Sequence, residues 1–468
     1  MIRRPLVLAL ALAVLPSAAF AEDLLQTYEL ARSNDPQFSA AESQRLATRE
    51  GAAQARSALL PQLSGDASIS RSRSDSTGNQ VFGSQLFPSD NETERTTRDV
   101  GIGLRQMVFD RGNFTRLRSQ KALSQAADFQ LQSAGDSLIT RTSQAYFNVL
   151  VAIETLAAAQ AQEAALKKQF DFADKRLEVG LAPITDVHEA RAQYDSARAN
   201  TILVRNALED AYQALVELTD QPVRNLKALP EDFQPALPVE RGVEDWVQVA
   251  IDNNPALRAK EYQVQSTVAN VETARSGHWP TLYLNGSYGD TNTDGDQTNN
   301  IDQTTTAFEN ESKSRSIGLT LNVPIFSGGL VSSQVRQAIA QRDVASDELE
   351  QQRRALERET RNAYQTLVAG ISEVEARKAA VFSARSAYDA SQVGLEVGTR
   401  TVLDVLNNQQ TLFNAEREYA LSRYNFLQNR LLLEQAAGTI DIASVQDINR
   451  LLTVDAAAEL APGTAPAP

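Results

Sequence analysis

The chain has 468 residues, with 45 Lys and Arg against 59 Asp and Glu, and a formal net charge of −14. That balance excludes an electropositive nucleic-acid surface, since phosphate contacts need clustered Lys and Arg. There is no cysteine and only two histidines, His188 and His278, so disulfides, thiolate sites and a His-rich metal centre are not expected.

At the N-terminus, Arg3 and Arg4 precede an apolar run over Pro5–Leu15, and Ser17-Ala18-Ala19-Phe20-Ala21 supplies small residues in an Ala-x-Ala pattern. This order predicts a signal peptide over 1–21, and Glu22 after the cut predicts no lipid anchor. The rest of the chain shows no apolar run that reads as the ~18 residues a membrane helix needs, so entry into a membrane is expected as strands.

The first unit, 22–228, opens with a short helix before Asn34-Asp35-Pro36. Leu63, Gly65, Ala67 and Ile69 then alternate with Ser64, Asp66, Ser68 and Ser70, which predicts a strand, and Val100, Ile102, Leu104 and Val108 predict its partner. The polar stretch Ser72–Thr97 between them predicts a mobile, solvent-facing loop. From Phe114 to Val179 there is no Pro and one Gly, Gly135, which predicts a single helix. Such a helix is about 100 Å long at about 1.5 Å per residue. Leu131, Leu138, Ala145 and Ala152 give it a heptad seam, and Val204, Ala211 and Leu218 give one to the helix that returns.

Pro-rich Leu229–Pro238 marks a linker over 229–242. The second unit, 243–440, repeats the order. Leu282, Leu284, Gly286 and Tyr288 predict one strand, and Ile317, Leu319, Leu321, Val323 and Ile325 its partner, with the polar stretch Asp290–Ser314 expected as a loop. A second long helix spans Leu330 to Val397, with a seam at Val374, Val381, Tyr388 and Leu395; its return carries Leu406, Phe413, Ala420 and Leu427. A tail over 441–468 ends in Ala/Pro-rich Asp455–Pro468, expected to be disordered.

The two units echo each other. Asn34-Asp35-Pro36 returns as Asn253-Asn254-Pro255, Phe109-Asp110-Arg111-Gly112 as Phe326-Ser327-Gly328-Gly329, Ala145-Tyr146 as Ala363-Tyr364, and Leu177-Glu178-Val179-Gly180 as Leu395-Glu396-Val397-Gly398. The pairs lie 217 to 219 residues apart (36 to 255, 109 to 326, 146 to 364). A unit this long is a duplicated domain, since solenoid repeats have periods of about 20–50 residues.

Four strands per chain cannot close a membrane barrel, because single-chain barrels start at about eight strands and an open edge leaves backbone groups unsatisfied in hydrocarbon. If these strands are in a membrane, copies must pool them. Three copies give twelve strands and a lumen lined by the polar face, including Ser64, Asp66, Ser68, Asn285 and Ser287.

Each long helix ends in a similar turn: Val179-Gly180-Leu181-Ala182-Pro183-Ile184-Thr185-Asp186-Val187 and Val397-Gly398-Thr399-Arg400-Thr401-Val402-Leu403-Asp404-Val405. Gly180 and Gly398 are expected as C-terminal caps, Thr185 and Thr401 as N-caps, and Asp186 and Asp404 in first turns where the helix dipole favours negative charge.

Together with Ala190–Asp195, Ala415-Glu416 and Arg423-Tyr424-Asn425, these turns and the duplicated layout resemble the TolC-type outer-membrane efflux channels over roughly Asp23 to Leu452. The resemblance implies an α+β membrane protein: a trimeric twelve-stranded transmembrane β-barrel, four strands per chain, continued by a long periplasmic α-helical barrel. It implies an outer-membrane exit duct of a tripartite efflux or type I secretion system, gated by untwisting of the periplasmic helix tips. The implied partners are two further copies, a periplasmic adaptor (membrane fusion protein), an inner-membrane pump of RND or ABC type, and outer-membrane lipid, with no nucleic acid and no cofactor. By position, Thr185, Asp186 and Arg400 would form a gate clasp, Asp404 with Asn407 would line the pore constriction, and Val179, Gly180, Leu181, Val397, Gly398 and Thr399 would meet the adaptor. Asn407 replaces a second pore aspartate common in the family, and Leu395 replaces an aromatic hydroxyl.

An enzyme is not expected. Phosphate-loop and nucleophile-elbow motifs do not occur, and His188-Glu189 has Ala192 where a zinc-protease motif needs its second His. The competing reading is a soluble periplasmic coiled-coil adaptor or scaffold.

Overall fold

The computed structural model describes residues 23–181, 183–237 and 241–456; the expected signal peptide and most of the expected disordered tail lie outside the described residues. In chain order the elements are α1 (Leu24–Asn34), α2 (Pro36–Ser57), β1 (Gln62–Phe82), β2 (Gln85–Phe109), α3 (Arg111–Glu178), α4 (Ile184–Thr219) and β3 (Lys227–Ala228). There follow α5 (Val243–Asn253), α6 (Pro255–Arg275), a 3-10 turn, β4 (Thr281–Asn299), β5 (Thr304–Asn322), α7 (Leu330–Glu396), α8 (Val402–Ala436), α9 (Ile442–Asn449) and β6 (Val454–Asp455). They form two compact units, one from 1–43, 129–258 and 351–468, the other from 44–128 and 259–350, so each draws on both repeats.

In the first unit the duplicated Asn/Asp-Pro landmarks do the same work twice. Asp35 accepts from Phe38 N at 2.9 Å and Asn254 from Leu257 N at 3.0 Å, capping α2 and α6. Pro36 and Pro255 then take the first helical position, where a missing N–H costs nothing. Asn34 Nδ2 donates to Thr219 O at 2.7 Å and Asn254 Nδ2 to Ala436 O at 3.1 Å, closing the C-terminal ends of α4 and α8. The core of this unit gathers Leu138, Tyr146, Phe147, Leu150 and Ile153 of α3 with Leu215 of α4, Leu367 of α7 and Tyr424, Leu427 and Leu431 of α8. By composition, eighteen residues of α3 are apolar enough to cross a membrane, contrary to expectation; many of its apolar side chains pack into this core instead.

The α7 and α8 seams are mostly buried, as at Val374, Leu395, Leu406, Phe413, Ala420 and Leu427. In α4 the fully buried row is Thr201, Leu208 and Leu215, while Val204, Ala211 and Leu218 are half-buried beside it.

Tyr146 holds β3 in place: its hydroxyl donates to Lys227 O at 2.9 Å and accepts from Lys227 N at 2.8 Å. β6 pairs with β3, and Ala456 N donates to Leu226 O at 2.9 Å. Asp455 and Ala456, expected in the disordered tail, are therefore ordered by backbone pairing, which ignores side-chain polarity.

Asp136 of α3 is buried, and burial pushes its carboxyl up to about 6. Its unfolded pKa is near 3.9, so between pH ~4 and ~6 the folded state binds more protons than the unfolded one. Stability is therefore expected to fall as pH rises through that window and to stay lower above it. Asp136→Asn is expected to flatten this slope and stabilise the protein at neutral pH by about 1–3 kcal/mol. Thermal unfolding below pH ~4 and above pH ~7 measures both effects.

The second unit holds one antiparallel sheet in the order β1-β2-β4-β5. The register runs unbroken from Gln62↔Arg105 to Phe82↔Gln85, and from Thr281↔Asn322 to Asn299↔Thr304. The expected loops Ser72–Thr97 and Asp290–Ser314 are thus almost wholly strand, and the true turns are short, at Gly83-Ser84 and over 300–303. Short of the first hairpin tip, where Val81, Leu86 and Phe87 are exposed, both faces are largely polar, so the apolar alternation that marks a strand is missing while the backbone ladder continues. Helical segments of the unit are joined by Arg111–Glu272 at 2.7 Å and by a buried Ser119–Ser266 hydrogen bond at 2.8 Å.

Candidate functional site

The chain carries functional geometry in two places, one in each unit. The first is the sheet. Among the described residues β1 pairs only with β2 and β5 only with β4, so two long edges lie open. One face of its basal part is a band of exposed apolar side chains, with Leu63 74%, Ile69 71%, Ile317 80% and Leu319 62% exposed. The opposite face is polar: Asn285 donates to Thr320 Oγ1 at 2.9 Å and Ser287 bonds Ser316 at 2.7 Å. A water-soluble sheet turns its apolar face inward; this one turns it out.

The second place is the pair of helix turns. α3 closes in a Schellman motif: Leu181 N donates to Arg176 O at 2.8 Å and Gly180 N to Leu177 O at 2.9 Å. α7 closes identically, with Thr399 N to Gly394 O at 2.8 Å and Gly398 N to Leu395 O at 3.2 Å. Gly180 and Gly398 have φ of +74° and +77°, the left-handed region that disfavours a Cβ. The tips expose Val179, Leu181, Ile184, Val397 and Leu403 to solvent. Behind the first turn pack Ala173, Val187 and Ala190; behind the second pack Leu395, Val402, Val405 and Leu406 with Leu166 and Ala197.

Thr401 caps α8 in a reciprocal box with Asp404. Asp404 N donates to Thr401 Oγ1 at 3.2 Å, while the Asp404 carboxylate accepts from Thr401 N and Thr401 Oγ1, both at 2.9 Å. These hydrogen bonds and the nearby Arg400 charge hold the Asp404 carboxyl below its ordinary range. The box is therefore intact at neutral pH and is lost as pH falls through that depressed value. Thr401→Ala is expected to cost about 1 kcal/mol. A melt of the variant at neutral pH measures this loss.

Thr185 does not cap α4. Pro183 takes that position, with φ −74° and no side-chain hydrogen bond, and Thr185 is exposed one residue inside the helix. The proline ring already fixes the entry angle. Asp186 and Asp404 do fall in first turns. The Arg400 side chain lies over Gly394, where a Cβ would stand 2.6 Å from Arg400 Cγ. Among the described residues, no ion pair or hydrogen bond within the chain joins Arg400 to Thr185 or Asp186. Asn407 is exposed three residues after Asp404 on α8.

Sequence reasoning passed over Glu154. Its carboxylate accepts from Arg423 Nη2 and, at 2.7 Å, from the Tyr424 hydroxyl, inside the core of the first unit. The signal was a lone acid after the apolar run Val149-Leu150-Val151-Ala152-Ile153.

Comparison with known proteins adds the family. The chain matches the family described as outer membrane efflux protein over 27–220 and again over 246–439, one match per repeat. It is 34% identical over 450 residues to outer membrane protein TolC of Vibrio cholerae, covering 96% of this chain and 98% of that protein. It is 29% identical over 437 residues to the alkaline protease secretion protein AprF of Pseudomonas aeruginosa, covering 93% and 88%. Among solved structures, the Campylobacter jejuni CmeC outer membrane channel superposes with a TM-score of 0.74 at 19% identity, over 92% of this chain and 90% of that one. The chain belongs to the outer membrane efflux protein family.

Proposed function

We propose that this protein is the outer-membrane exit duct of an efflux or type I secretion system, working as a homotrimer. The observation that carries this reading is the four-stranded sheet with two open edges and its apolar face outward. Pairing β5 of one copy with β1 of the next satisfies both edges, and three copies close a twelve-stranded ring around the polar face. The helices continue the duct on the periplasmic side. The family is one of efflux proteins, and a protease secretion protein stands among the relatives.

In this reading the helix turns form the periplasmic entrance. Arg400, which among the described residues makes no ion pair or hydrogen bond to Thr185 or Asp186 of its own chain, meets Thr185 and Asp186 of the neighbouring turn, and Asp404 from three copies makes an acidic ring with Asn407 beside it. The exposed tips Val179-Gly180-Leu181 and Val397-Gly398-Thr399 offer apolar and backbone surface to a periplasmic adaptor helix, which in turn couples to an inner-membrane pump. The residues act by position, charge and packing; no step of transport needs chemistry from the duct.

Conductance in a planar lipid bilayer tests the proposal. Discrete ion-conducting steps are expected from the purified protein, blocked by polyvalent cations from the periplasmic side. Asp404→Asn is expected to weaken that block about tenfold, the loss of one charge–charge contact per chain. Block of equal strength in the variant removes Asp404 from the pore, and absence of any conductance removes the duct.

A further inference from the structure

The outward face of the sheet changes character part-way along every strand. On β1 it runs Leu63, Gly65, Ala67, Ile69 and then Arg71, Arg73 and Asp75; on β2 it runs Leu104, Ile102, Val100 and then Arg98. On β4 the change falls between Tyr288 and Asp290, and on β5 between Ile317 and Arg315. The register shows how these four points relate. Ile69 lies directly opposite Arg98, Val100 opposite Asp290, and Tyr288 opposite Arg315. In each adjacent pair the last apolar residue of one strand faces the first charged residue of the next. The boundary therefore climbs by the same two residues at every strand, always in one direction.

A level boundary crossed by tilted strands has this form. Two residues are about 7 Å along a strand, against about 4.8 Å between strands, which corresponds to an inclination of about 55°. Membrane barrel strands tilt by about 35–45°, and a boundary read at every second residue resolves the angle no more finely than that difference. Below the boundary β2 offers about ten residues, Val100 to Phe109, the length a tilted strand needs to cross hydrocarbon. Three of the four strands place Arg first beyond the boundary, the residue whose long stem lies on apolar surface while its head reaches water.

We infer that the outer surface of the lipid hydrocarbon crosses this sheet between Ile69 and Arg71, Val100 and Arg98, Tyr288 and Asp290, and Ile317 and Arg315, and that the strands continue beyond it as a rigid, hydrated collar outside the cell. The inference rests on the proposed reading of the sheet as part of a membrane barrel. The collar spans about 34–48 Å measured along each strand, 10 residues on β4 to 14 on β2 at about 3.4 Å each. Its outward face is tied by cross-strand pairs, Arg71–Glu94 at 3.1 Å, Arg73–Glu92 at 2.6 Å, and Arg98–Asp294. Val81 and Leu86 are exposed and apolar at the first hairpin tip. They cannot draw the collar into lipid, since every charged row below them would follow.

The natural chain has no cysteine, so single cysteines can be placed without background. Thr77→Cys and Ala307→Cys lie on the collar, Ala67→Cys and Leu319→Cys in the apolar band, and Ser84→Cys at a hairpin tip. Intact cells carrying each variant, at normal level in the outer-membrane fraction, are treated with a membrane-impermeant maleimide. Both collar positions are expected to react as fast as the tip, and both band positions about tenfold more slowly, because a thiol in apolar surroundings ionises poorly. Collar positions as slow as the band would place lipid up to the tips and overturn the collar while leaving the barrel reading standing. A tip that reacts only after the outer membrane is permeabilised would overturn the barrel reading itself, and the collar with it.

Discussion

Glu154→Ala is expected to be among the most destabilising single substitutions in the chain, at about 3–5 kcal/mol, because it strands a buried charge. The Glu154 and Arg423 side chains are 12% and 6% exposed. Arg423 also donates to Pro230 O at 3.3 Å, and the Tyr424 hydroxyl, besides bonding Glu154, accepts from Leu229 N at 3.4 Å. One buried pair on α3 and α8 therefore fixes the start of the chain between the two repeats. Burial works against the Arg423 charge, and the attraction of Glu154, with Tyr424 and Tyr419 behind it, more than restores it, leaving its pKa above the ordinary value. Once Glu154 is gone, the full opposite charge is lost, and the Pro230 carbonyl and the Tyr419 and Tyr424 rings are left to offset that burial. Replacing both partners with Met is expected to recover most of the loss, since apolar packing often equals a buried ion pair. Thermal unfolding at one fixed protein concentration measures it, because assembly of copies couples stability to concentration. A Glu154→Ala melt within 1 kcal/mol of the parent, by the scale of ordinary surface changes, would show that the pair holds nothing.

Arg400→Glu is expected to open the duct. An exposed ion pair is worth about 0–1 kcal/mol, and the three equivalent interfaces of the proposed trimer would make up to about 3 kcal/mol for the closed state. Reversing the charge removes that attraction and sets the new acid near Asp186 and Asp404. The open population should rise by about ten- to a hundredfold, at 1.4 kcal/mol per factor of ten. Single-channel recording gives the open fraction directly, and uptake of a bulky antibiotic by cells gives a second reading. Thr401→Ala serves as the control, since it loosens the same turn without altering charge near Arg400. If both variants leave the open fraction at the parental value, Arg400 has no part in closure.

Much of this architecture can be read in the sequence, and the misses share a cause. The long helices are legible because Pro is absent and Gly is rare along them, and α3 and α7 end where Gly180 and Gly398 allow a left-handed residue. The strand bases are legible because Leu63 to Ile69 and Ile317 to Leu321 alternate with polar or small residues; Val323 and Ile325, expected in the same strand, lie beyond β5, which ends at Asn322 just before Pro324, a residue with no N–H for the ladder. Their distal halves are not, because Arg71, Ser72, Arg73 and Ser74 put polar atoms on both faces and the pairing that orders them is in the backbone. Asp455 was missed for the same reason, being held by β3. Thr185 was misplaced because Pro183 fixes the chain direction without any side-chain hydrogen bond. The duplication and the family resemblance are borne out by a family match to each half. The proposed contact of Arg400 with Thr185 and Asp186 lies between copies, so it leaves no mark on the contacts within one chain.

The number of chains in the purified protein tests the central idea most directly, because a single four-stranded sheet leaves both edges unpaired in lipid. Mass measured in detergent micelles is expected to equal three chains, in a particle that precipitates when detergent is withdrawn. A single chain that stays dispersed in plain buffer would contradict the account.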